Sequence, residues 1–255
     1  MTCEILILKV LNDNYAYLLA DKTTRQAAVI DPGSAGPVVR ELKDKNLKLS
    51  HILLTHHHYD HSGGVRELKK CFPEAIIAIH KDDAGHLAVK CDLKLTDGDT
   101  IDFAGMEIEI LHLPCHTRGH VAFRIDNALF TGDTLFNAGC GKFFEGTALE
   151  MLENLRRLKN LPDTIDIYCG HEYTIENLEC ARQADPDNPE LNQQLLMSRT
   201  TQSTGRPLVP VPLSLELQTN PFLRLNDEKL QFNLKTDNEL DTLIALYRIY
   251  YNATP

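Results

Sequence analysis

The segment THHHYDH, residues 55–61, places histidines and a carboxylate side by side at the end of an apolar run. Imidazole nitrogens and carboxylate oxygens are donors that bind zinc, iron or manganese in proteins. Alternate side chains of an extended chain share a face, so His56 and His58 can bind one ion while Asp60 and His61 turn toward a second. Histidine runs also occur as tags and solvated loops, but this one is internal and follows a strand-like stretch, which favours a metal site.

Four side chains cannot saturate two ions, so further ligands must come from other segments. Three segments each have an apolar run, then a small or turn-forming residue, then a metal-binding side chain: His116 in LHLPCHTRGH, Asp133 in ALFTGDT and His171 in IDIYCGHEYT. α/β folds gather catalytic groups where strands end. Asp133 is the predicted bridge between the ions, because a carboxylate has two oxygens and a full charge. The predicted ligand sets are His56, His58 and His116 for the first ion, and Asp60, His61 and His171 for the second.

Taken together, THHHYDH, HTRGH, TGD and GHEY resemble the metallo-β-lactamase superfamily. The blocks DNYAYLL, VIDPG, GDTLF, GCGKFFEGT, GHEYT and NPFLR are similar, in the same order, to its glyoxalase II (hydroxyacylglutathione hydrolase) branch. The resemblance implies an αββα sandwich in residues 1–173, with the metals at one edge, and a helical substrate-binding domain in residues 174–255. The implied reaction is hydrolysis of S-D-lactoylglutathione to D-lactate and glutathione, a step of methylglyoxal detoxification.

The same resemblance implies the substrate contacts. Lys142, Phe144, Tyr173 and Arg248 stand where the family places them, although Phe144 is tyrosine in some members. The family often has a lysine three residues after the arginine, whereas this chain has Tyr251. We therefore expect weaker binding of the glycine carboxylate of glutathione, and a raised Michaelis constant with the chemical step intact.

Two adjacent cations predict hydrolysis without a serine or cysteine nucleophile. A water between them loses a proton near neutral pH, because metal coordination can lower its pKa from about 15.7 to roughly 7. The first ion can then stabilise the oxyanion of the attacked thioester, and the second can meet the departing thiolate. We expect Asp60 to be both a ligand and the acceptor of the hydroxide's remaining proton. Asp31 in VIDPG is implied to hold a ligand imidazole from behind, although an Asp before Pro-Gly is equally a turn former.

Two other classes of function remain open. One is a different dinuclear hydrolase of the superfamily, acting on another thioester, a lactone or a β-lactam. Related iron oxygenases use one metal, and the second set of Asp60, His61 and His171 argues against them. The other class is a degenerate, non-catalytic binding module, which usually requires lost ligands.

Composition agrees with a cytoplasmic enzyme. The 255 residues, 43% of them hydrophobic, can bury a full core in one large domain or two. The net charge of −10, without a Lys/Arg-rich stripe, argues against nucleic acid, and no signal peptide or membrane span is visible. Seven scattered cysteines fit a reducing compartment, and Cys115, Cys140 and Cys169 are predicted to be small buried hydrophobes. We expect a monomer with two divalent ions, zinc first, iron or manganese as alternatives, and a small-molecule glutathione thioester as its partner.

Hydrophobic patterning divides the chain into two regimes. Short predicted strands, at residues 5–10, 28–31, 52–55, 76–79 and 121–125, alternate with helical patterns up to about Tyr173, which predicts an α/β fold. Pro37 marks one helix start, and Thr147 with Glu150 forms a predicted capping box before residues 151–161. Beyond Tyr173, helices are predicted at residues 175–184, 188–200 and 239–250, around a proline-rich connector at 207–212.

Overall fold

A computed structural model of the chain describes residues 3–253, with strands and helices alternating first and helices dominating later. The strands are β1 (Cys3–Val10), β2 (Asn14–Asp21), β3 (Gln26–Ile30), β4 (Lys48–Leu53), β5 (Ile76–His80), β6 (Leu93–Leu95), β7 (Thr100–Phe103), β8 (Met106–His112), β9 (Val121–Ile125), β10 (Ala128–Gly132), β11 (Leu135–Phe136), β12 (Gly139–Cys140), β13 (Asp166–Cys169) and β14 (Val211–Pro212). The helices are α1 (Ala35–Asp44), α2 (Tyr59–Ser62), α3 (Val65–Cys71), α4 (Ala148–Lys159), α5 (Thr174–Ala184), α6 (Pro189–Gln202), α7 (Leu213–Thr219), α8 (Glu228–Leu234) and α9 (Glu239–Tyr251). Short 3₁₀ helices span Ala84–His86 and Pro221–Leu223.

Contacts group the chain into two compact units. Unit 1 comprises the described residues up to Leu113 together with Thr117–Asp126 and Phe130–Gly132. Its first sheet has the order β1-β2-β3-β4-β5-β6, antiparallel from β1 to β3 and parallel from β3 to β6. Helices α1 and α3 cover one face of this sheet through a shared apolar core. Helix α1 can do so because its buried residues, Ala35, Val38 and Leu42, recur at helical spacing along one side.

A second sheet of unit 1 packs on the first. Strands β7, β8 and β9 are antiparallel, and the end of β10 lies beside β9. The ring of Tyr17 in β2 lies 5.1 Å from that of Phe130 in β10, and His51 in β4 meets Phe103 in β7 edge-on at 6.0 Å. Unit 1 therefore has two stacked sheets with helices on the outer face of the first, which confirms the predicted α/β class.

Unit 2 comprises Pro114–His116, Asn127–Leu129 and the described residues from Asp133 onward. It contains the hairpin of β11 and β12, the antiparallel pair of β13 and β14, and helices α4 to α9. The capping box of α4 is confirmed: the Thr147 hydroxyl accepts from the Glu150 N–H at 3.3 Å, and the Glu150 carboxylate accepts from the Thr147 N–H at 2.8 Å. The three predicted C-terminal helices are also confirmed, as α5, α6 and α9.

The cysteines next to the motifs are buried, as predicted. All seven cysteines are free thiols, and Cys115, Cys140 and Cys169 have no exposed surface. Burial raises the pKa of the Cys169 thiol to about 12 and that of Cys140 well above its usual range. These thiols therefore stay protonated and serve as packing groups.

Within residues 3–253, no helix combines the length and the apolar character needed to cross a bilayer.

Candidate metal centre

In unit 1, the THHHYDH segment leaves β4 at Leu53, runs irregularly to His58 and then enters α2. Asp60 and His61 thus lie in a helical turn, and not on the extended chain that the sequence interpretation assumed. The Nε2 atom of His56 lies 3.1 Å from Nδ1 of His58. In the same unit, Nε2 of His61 lies 3.5 Å from Oδ2 of Asp60. The sequence therefore brings these four side chains together as two neighbouring pairs.

Asp31 lies behind two of these histidines and is almost fully buried. Its Oδ1 accepts from the Thr55 N–H at 2.8 Å, and its Oδ2 accepts from the Thr55 hydroxyl at 2.6 Å. Its Oδ2 also lies 3.0 Å from Nδ1 of His61, which must carry a proton to bond to a carboxylate. Because the hydroxyl proton of Thr55 goes to Asp31, its oxygen accepts from Nδ1 of His56 at 3.0 Å. Both imidazoles therefore keep the lone pair on Nε2, the form that binds metal.

Asp60 is held from the other side by Asn14. The Asn14 amide donates to Oδ2 of Asp60 at 2.9 Å and to its backbone carbonyl at 3.3 Å. These bonds orient a carboxylate whose side chain is still 42% exposed and is therefore accessible to solvent. Asn14 lies in the DNYAYLL block, but that block does not show which residue contacts a site 46 residues away.

Asp83 is a second residue that sequence reasoning missed. Its side chain is buried, and it accepts from the His57 N–H at 2.9 Å, the Thr117 hydroxyl at 2.8 Å and the Gly119 N–H at 2.8 Å. It thereby joins the THHH segment to the residues that follow His116. A weak signal was available, because Asp83 lies three residues after the end of β5, and Asp133 directly follows β10.

The glycine of the TGD motif is required by close packing. Gly132 has a φ of +48°, and a Cβ there would lie 2.5 Å from the Thr55 hydroxyl and 2.7 Å from Nε2 of His120. The ring of His120 in turn stacks on that of His56, with centroids 5.1 Å apart. Any side chain at position 132 would therefore displace the groups that orient His56.

In unit 2, Asp133 faces two candidate ligands at once. Its Oδ2 lies 3.4 Å from Nε2 of His116 and 3.4 Å from Nε2 of His171. Nδ1 of His116 donates to the Lys142 carbonyl at 3.0 Å, which leaves the lone pair on Nε2. Gly141 allows the next loop to pass close by, since a Cβ there would lie 1.7 Å from the Asp133 carbonyl oxygen.

The predicted substrate contacts occupy different surroundings in unit 2. Tyr173 stacks on His171 with centroids 4.8 Å apart, and the exposed ring of Phe144 lies 5.1 Å from that of His116. Lys142 is exposed, and Arg248 is exposed in the last turn of α9. The structure thus places Tyr173 and Phe144 directly against candidate ligands.

The chemistry of the donors fits divalent cations of the zinc, iron or manganese type. The donors are imidazole nitrogens and carboxylate oxygens, and three imidazoles have Nδ1 turned to an oxygen, so the lone pair that can bind a cation is on Nε2. Nε2 of His56, an acceptor, also sits 3.1 Å from a nitrogen of His58, and such a pair needs a shared proton or a cation.

The family model described as "Metallo-beta-lactamase superfamily" matches residues 11–171, and that described as "Hydroxyacylglutathione hydrolase C-terminus" matches residues 172–249. A hydroxyacylglutathione hydrolase of a Synechococcus sp. is 42% identical over 247 residues, covering 94% of this chain and 95% of that protein. The cytoplasmic hydroxyacylglutathione hydrolase of Arabidopsis thaliana is 41% identical over 244 residues, covering 91% and 92%.

Solved structures share the fold. ETHE1 from Myxococcus xanthus matches with a TM-score of 0.68 at 23% identity, over 100% of this chain and 92% of that one. TTHA1623 in a di-iron-bound form matches with a TM-score of 0.60 at 26% identity, over 86% of this chain and 100% of that one. The superfamily match and the histidine–aspartate clusters together indicate a dinuclear metal site.

Proposed function

Because the chain belongs to the hydroxyacylglutathione hydrolase family of the metallo-β-lactamase superfamily, we propose that its candidate ligands act as one dinuclear centre that hydrolyses S-D-lactoylglutathione to D-lactate and glutathione. One observation carries the assignment of the centre. A single oxygen of Asp133 faces the metal-binding nitrogens of His116 and His171 at equal distances of 3.4 Å, as expected for a bridging carboxylate.

The proposed ligand assignment follows the sequence prediction. Asp133 bridges, and the fit of the donors supports zinc, with iron or manganese as alternatives. The two ligand sets are His56, His58 and His116 for the first ion, and Asp60, His61 and His171 for the second. When bound, such ions supply Lewis acidity and bring the pKa of water toward neutrality.

The chain's own residues supply orientation and proton transfer. Asp31 keeps the proton of His61 on Nδ1 directly, and it keeps the proton of His56 on Nδ1 through the Thr55 hydroxyl. Both rings therefore stay in one tautomer throughout the reaction. The Asp60 carboxylate, oriented by Asn14, is the proposed acceptor of the proton released when water attacks the thioester. No acid is needed for the leaving group, because a thiolate departs readily.

The proposed substrate contacts lie in unit 2. Tyr173 and Phe144 present ring surface beside His171 and His116, where the acyl and thiol parts of a substrate can pack. Lys142 and Arg248 supply positive charge for the glycine carboxylate of glutathione. Tyr251 stands where relatives often have a lysine, and loss of a charge-assisted contact weakens binding roughly ten- to a hundred-fold. We therefore expect a raised Michaelis constant and an unchanged turnover number.

The proposal extends to the organisation of the chain. Residues 1–173 form the catalytic part, and residues 174–255 form the substrate-binding part. The protein works as a cytoplasmic monomer on a small-molecule thioester and does not bind nucleic acid, in line with its net charge of −10.

Steady-state hydrolysis of S-D-lactoylglutathione, with metal content determined on the same sample, tests this function. A lactone and a β-lactam assayed in parallel test the other hydrolases of the superfamily. The expected result is thioester turnover with about two metals per chain. A full metal content without thioester turnover would contradict the proposal and direct attention to the other two substrates.

A further inference from the structure

Three tyrosines in the last turns of α9 contact the backbone of residues 138–143, a segment that includes the short strand β12 and is called loop 138–143 below. The Tyr250 hydroxyl donates to the Ala138 carbonyl at 2.7 Å. The Tyr251 hydroxyl donates to the Cys140 carbonyl. The Tyr247 hydroxyl accepts from the Phe143 N–H at 3.4 Å. One end of a helix therefore anchors loop 138–143 at its start, middle and end.

Lys142 lies in this loop and faces two ways. Its carbonyl accepts from Nδ1 of His116 at 3.0 Å, so the loop backbone orients a candidate metal ligand. Its ammonium nitrogen lies 5.4 Å from the centroid of the Tyr251 ring, within the range of a cation–π interaction. The Lys142 side chain is otherwise exposed. The Lys142 ammonium group therefore lies over the ring face of Tyr251 and is exposed to solvent.

Tyr251 is itself firmly held. Its ring packs against that of Tyr247 with centroids 4.8 Å apart, and its hydroxyl is bonded to Cys140. Burial raises the pKa of this hydroxyl, so it stays protonated and keeps donating. A flexible lysine loses much rotamer freedom when it binds an anion, and a fixed ring that already restricts the lysine reduces that loss.

We propose that Tyr251 is a positioning residue for substrate recognition, which holds the Lys142 ammonium ready for the carboxylate of the thiol carrier. The inference rests on the proposed function. Tyr251 adds no charge to the site, but it restricts the charge that Lys142 supplies. Its contribution is therefore confined to substrates whose thiol carrier has a carboxylate, and it vanishes when Lys142 is absent.

A double-mutant cycle of Lys142→Met and Tyr251→Leu tests this role with two substrates. The substrates are S-D-lactoylglutathione and S-D-lactoyl-N-acetylcysteamine, which has the same acyl group but no carboxylate. With the first, Tyr251→Leu should raise the Michaelis constant roughly three- to thirty-fold, and the turnover number should change less than about two-fold. The double variant should be no worse than Lys142→Met, and the second substrate should show no effect of Tyr251→Leu.

Two further variants separate positioning from structure. Tyr251→Phe keeps the ring and should stay within about three-fold of wild type in Michaelis constant, even where Tyr251→Leu fails to fold. Phe232→Leu, which removes an exposed ring on α8, is the matched control and should change neither constant. Additive effects in the cycle, or an equal loss with the carboxylate-free substrate, would overturn the inference.

Binding of glutathione, measured by calorimetry on the same variants, distinguishes failure of the proposed function from failure of the role of Tyr251. If the wild type hydrolyses the thioester but the effects of Lys142→Met and Tyr251→Leu are additive, only the role of Tyr251 is contradicted. A wild type that neither hydrolyses the thioester nor binds glutathione would overturn both the proposed function and this inference.

Discussion

Asp31 decides where the protons of two candidate ligands sit. Its carboxylate can only accept, and it accepts from Thr55 and from His61. An asparagine at this position would keep the shape but would offer an amide N–H toward a group that must donate. The hydrogen bonds that keep the proton of His56 on Nδ1 would then be lost.

Asp31→Asn should lower metal affinity or activity by roughly ten- to a hundred-fold, the usual cost of losing a partner behind a metal ligand. Elemental analysis together with kcat/KM checks this expectation. Asp21→Asn is the matched control: Asp21 is equally buried in unit 1, but it accepts from the Thr23 N–H at a strand end. Unchanged metal content and activity in Asp31→Asn would contradict the role given to Asp31.

Asp133→Ala should reduce bound metal to one equivalent or fewer and abolish hydrolysis, because the proposed bridge contributes to both ions. Metal content and thioester turnover are measured on one preparation. The exposed Asp163→Ala, in the same unit, should behave as wild type. A variant of Asp133 with two metals and normal turnover would show that another group bridges.

Glu216, a buried carboxyl in unit 2, should make the free energy of unfolding depend on pH. Burial raises the pKa of this carboxyl to about 7, although bonds from the Ala138 N–H, Asn220 and Gln194 lower it in part. The folded protein therefore holds a proton that the unfolded chain releases above about pH 4.5. From there the free energy of unfolding falls as pH rises, and the loss levels off above about pH 7.

Glu216→Gln should remove this loss, which amounts to about 3 kcal/mol for a raised pKa of this size. Denaturant unfolding of wild type and variant at pH 5 and pH 8 measures the difference between the two slopes. The exposed Glu228→Gln should leave the wild-type pH dependence in place. Parallel pH profiles for wild type and Glu216→Gln would contradict a buried, titrating Glu216.

The seven candidate ligands could be proposed from sequence, because each is a metal-binding residue type in a segment that follows an apolar run. Asn14 and Asp83 could not be recognised so easily, because they act through hydrogen bonds to segments far away in the chain. The tautomers set by Asp31 could not be predicted either, since they depend on the contacts of the Thr55 hydroxyl with Asp31 and with His56.

At the scale of elements, the N-terminus of α4 is fixed by local chemistry. Thr147 and Glu150 satisfy each other's backbone N–H groups, and Arg156 near the other end pairs with Glu153 and Glu239. Thr147→Ala should lower the free energy of unfolding by about 1 kcal/mol, the typical value of a helix cap. Leu149→Ala, an exposed residue of the same first turn, should cost much less, and thermal unfolding distinguishes the two. Equal losses would show that the cap contributes no more than an exposed side chain of the first turn.

Elements with strong periodicity or end signals were predictable, and the others were not. Strand β9 matches its prediction at both ends, and α5, α6 and α9 begin within one residue of theirs. Strand β4 ends at Leu53, before the predicted Thr55, because the Thr55 N–H and hydroxyl bond to Asp31. Helices α7 and α8 have seven residues each, too few to show a helical period in the sequence.

At the scale of the whole molecule, metal binding should stabilise the fold. The candidate ligands come from four separate segments, so the unfolded chain has no assembled site, and binding free energy adds to folding free energy. Removing metal with a chelator should lower Tm by roughly 5–15 °C, since occupancy at a thousand times Kd adds about 4 kcal/mol. Calorimetry before chelation, after it and after metal is restored measures the shift. An unchanged Tm at zero metal content would contradict this coupling, and Asp133→Ala should show a smaller shift than wild type.

The tyrosine anchors of loop 138–143 also bear on biosynthesis. A ribosome completes the loop and all seven candidate ligands well before it reaches residues 247–251. A nascent chain can therefore collect its metal ligands while the segment that carries Lys142 still lacks its supports. We therefore expect a nascent chain to bind the thioester weakly until residues 247–251 have been added and folded against loop 138–143.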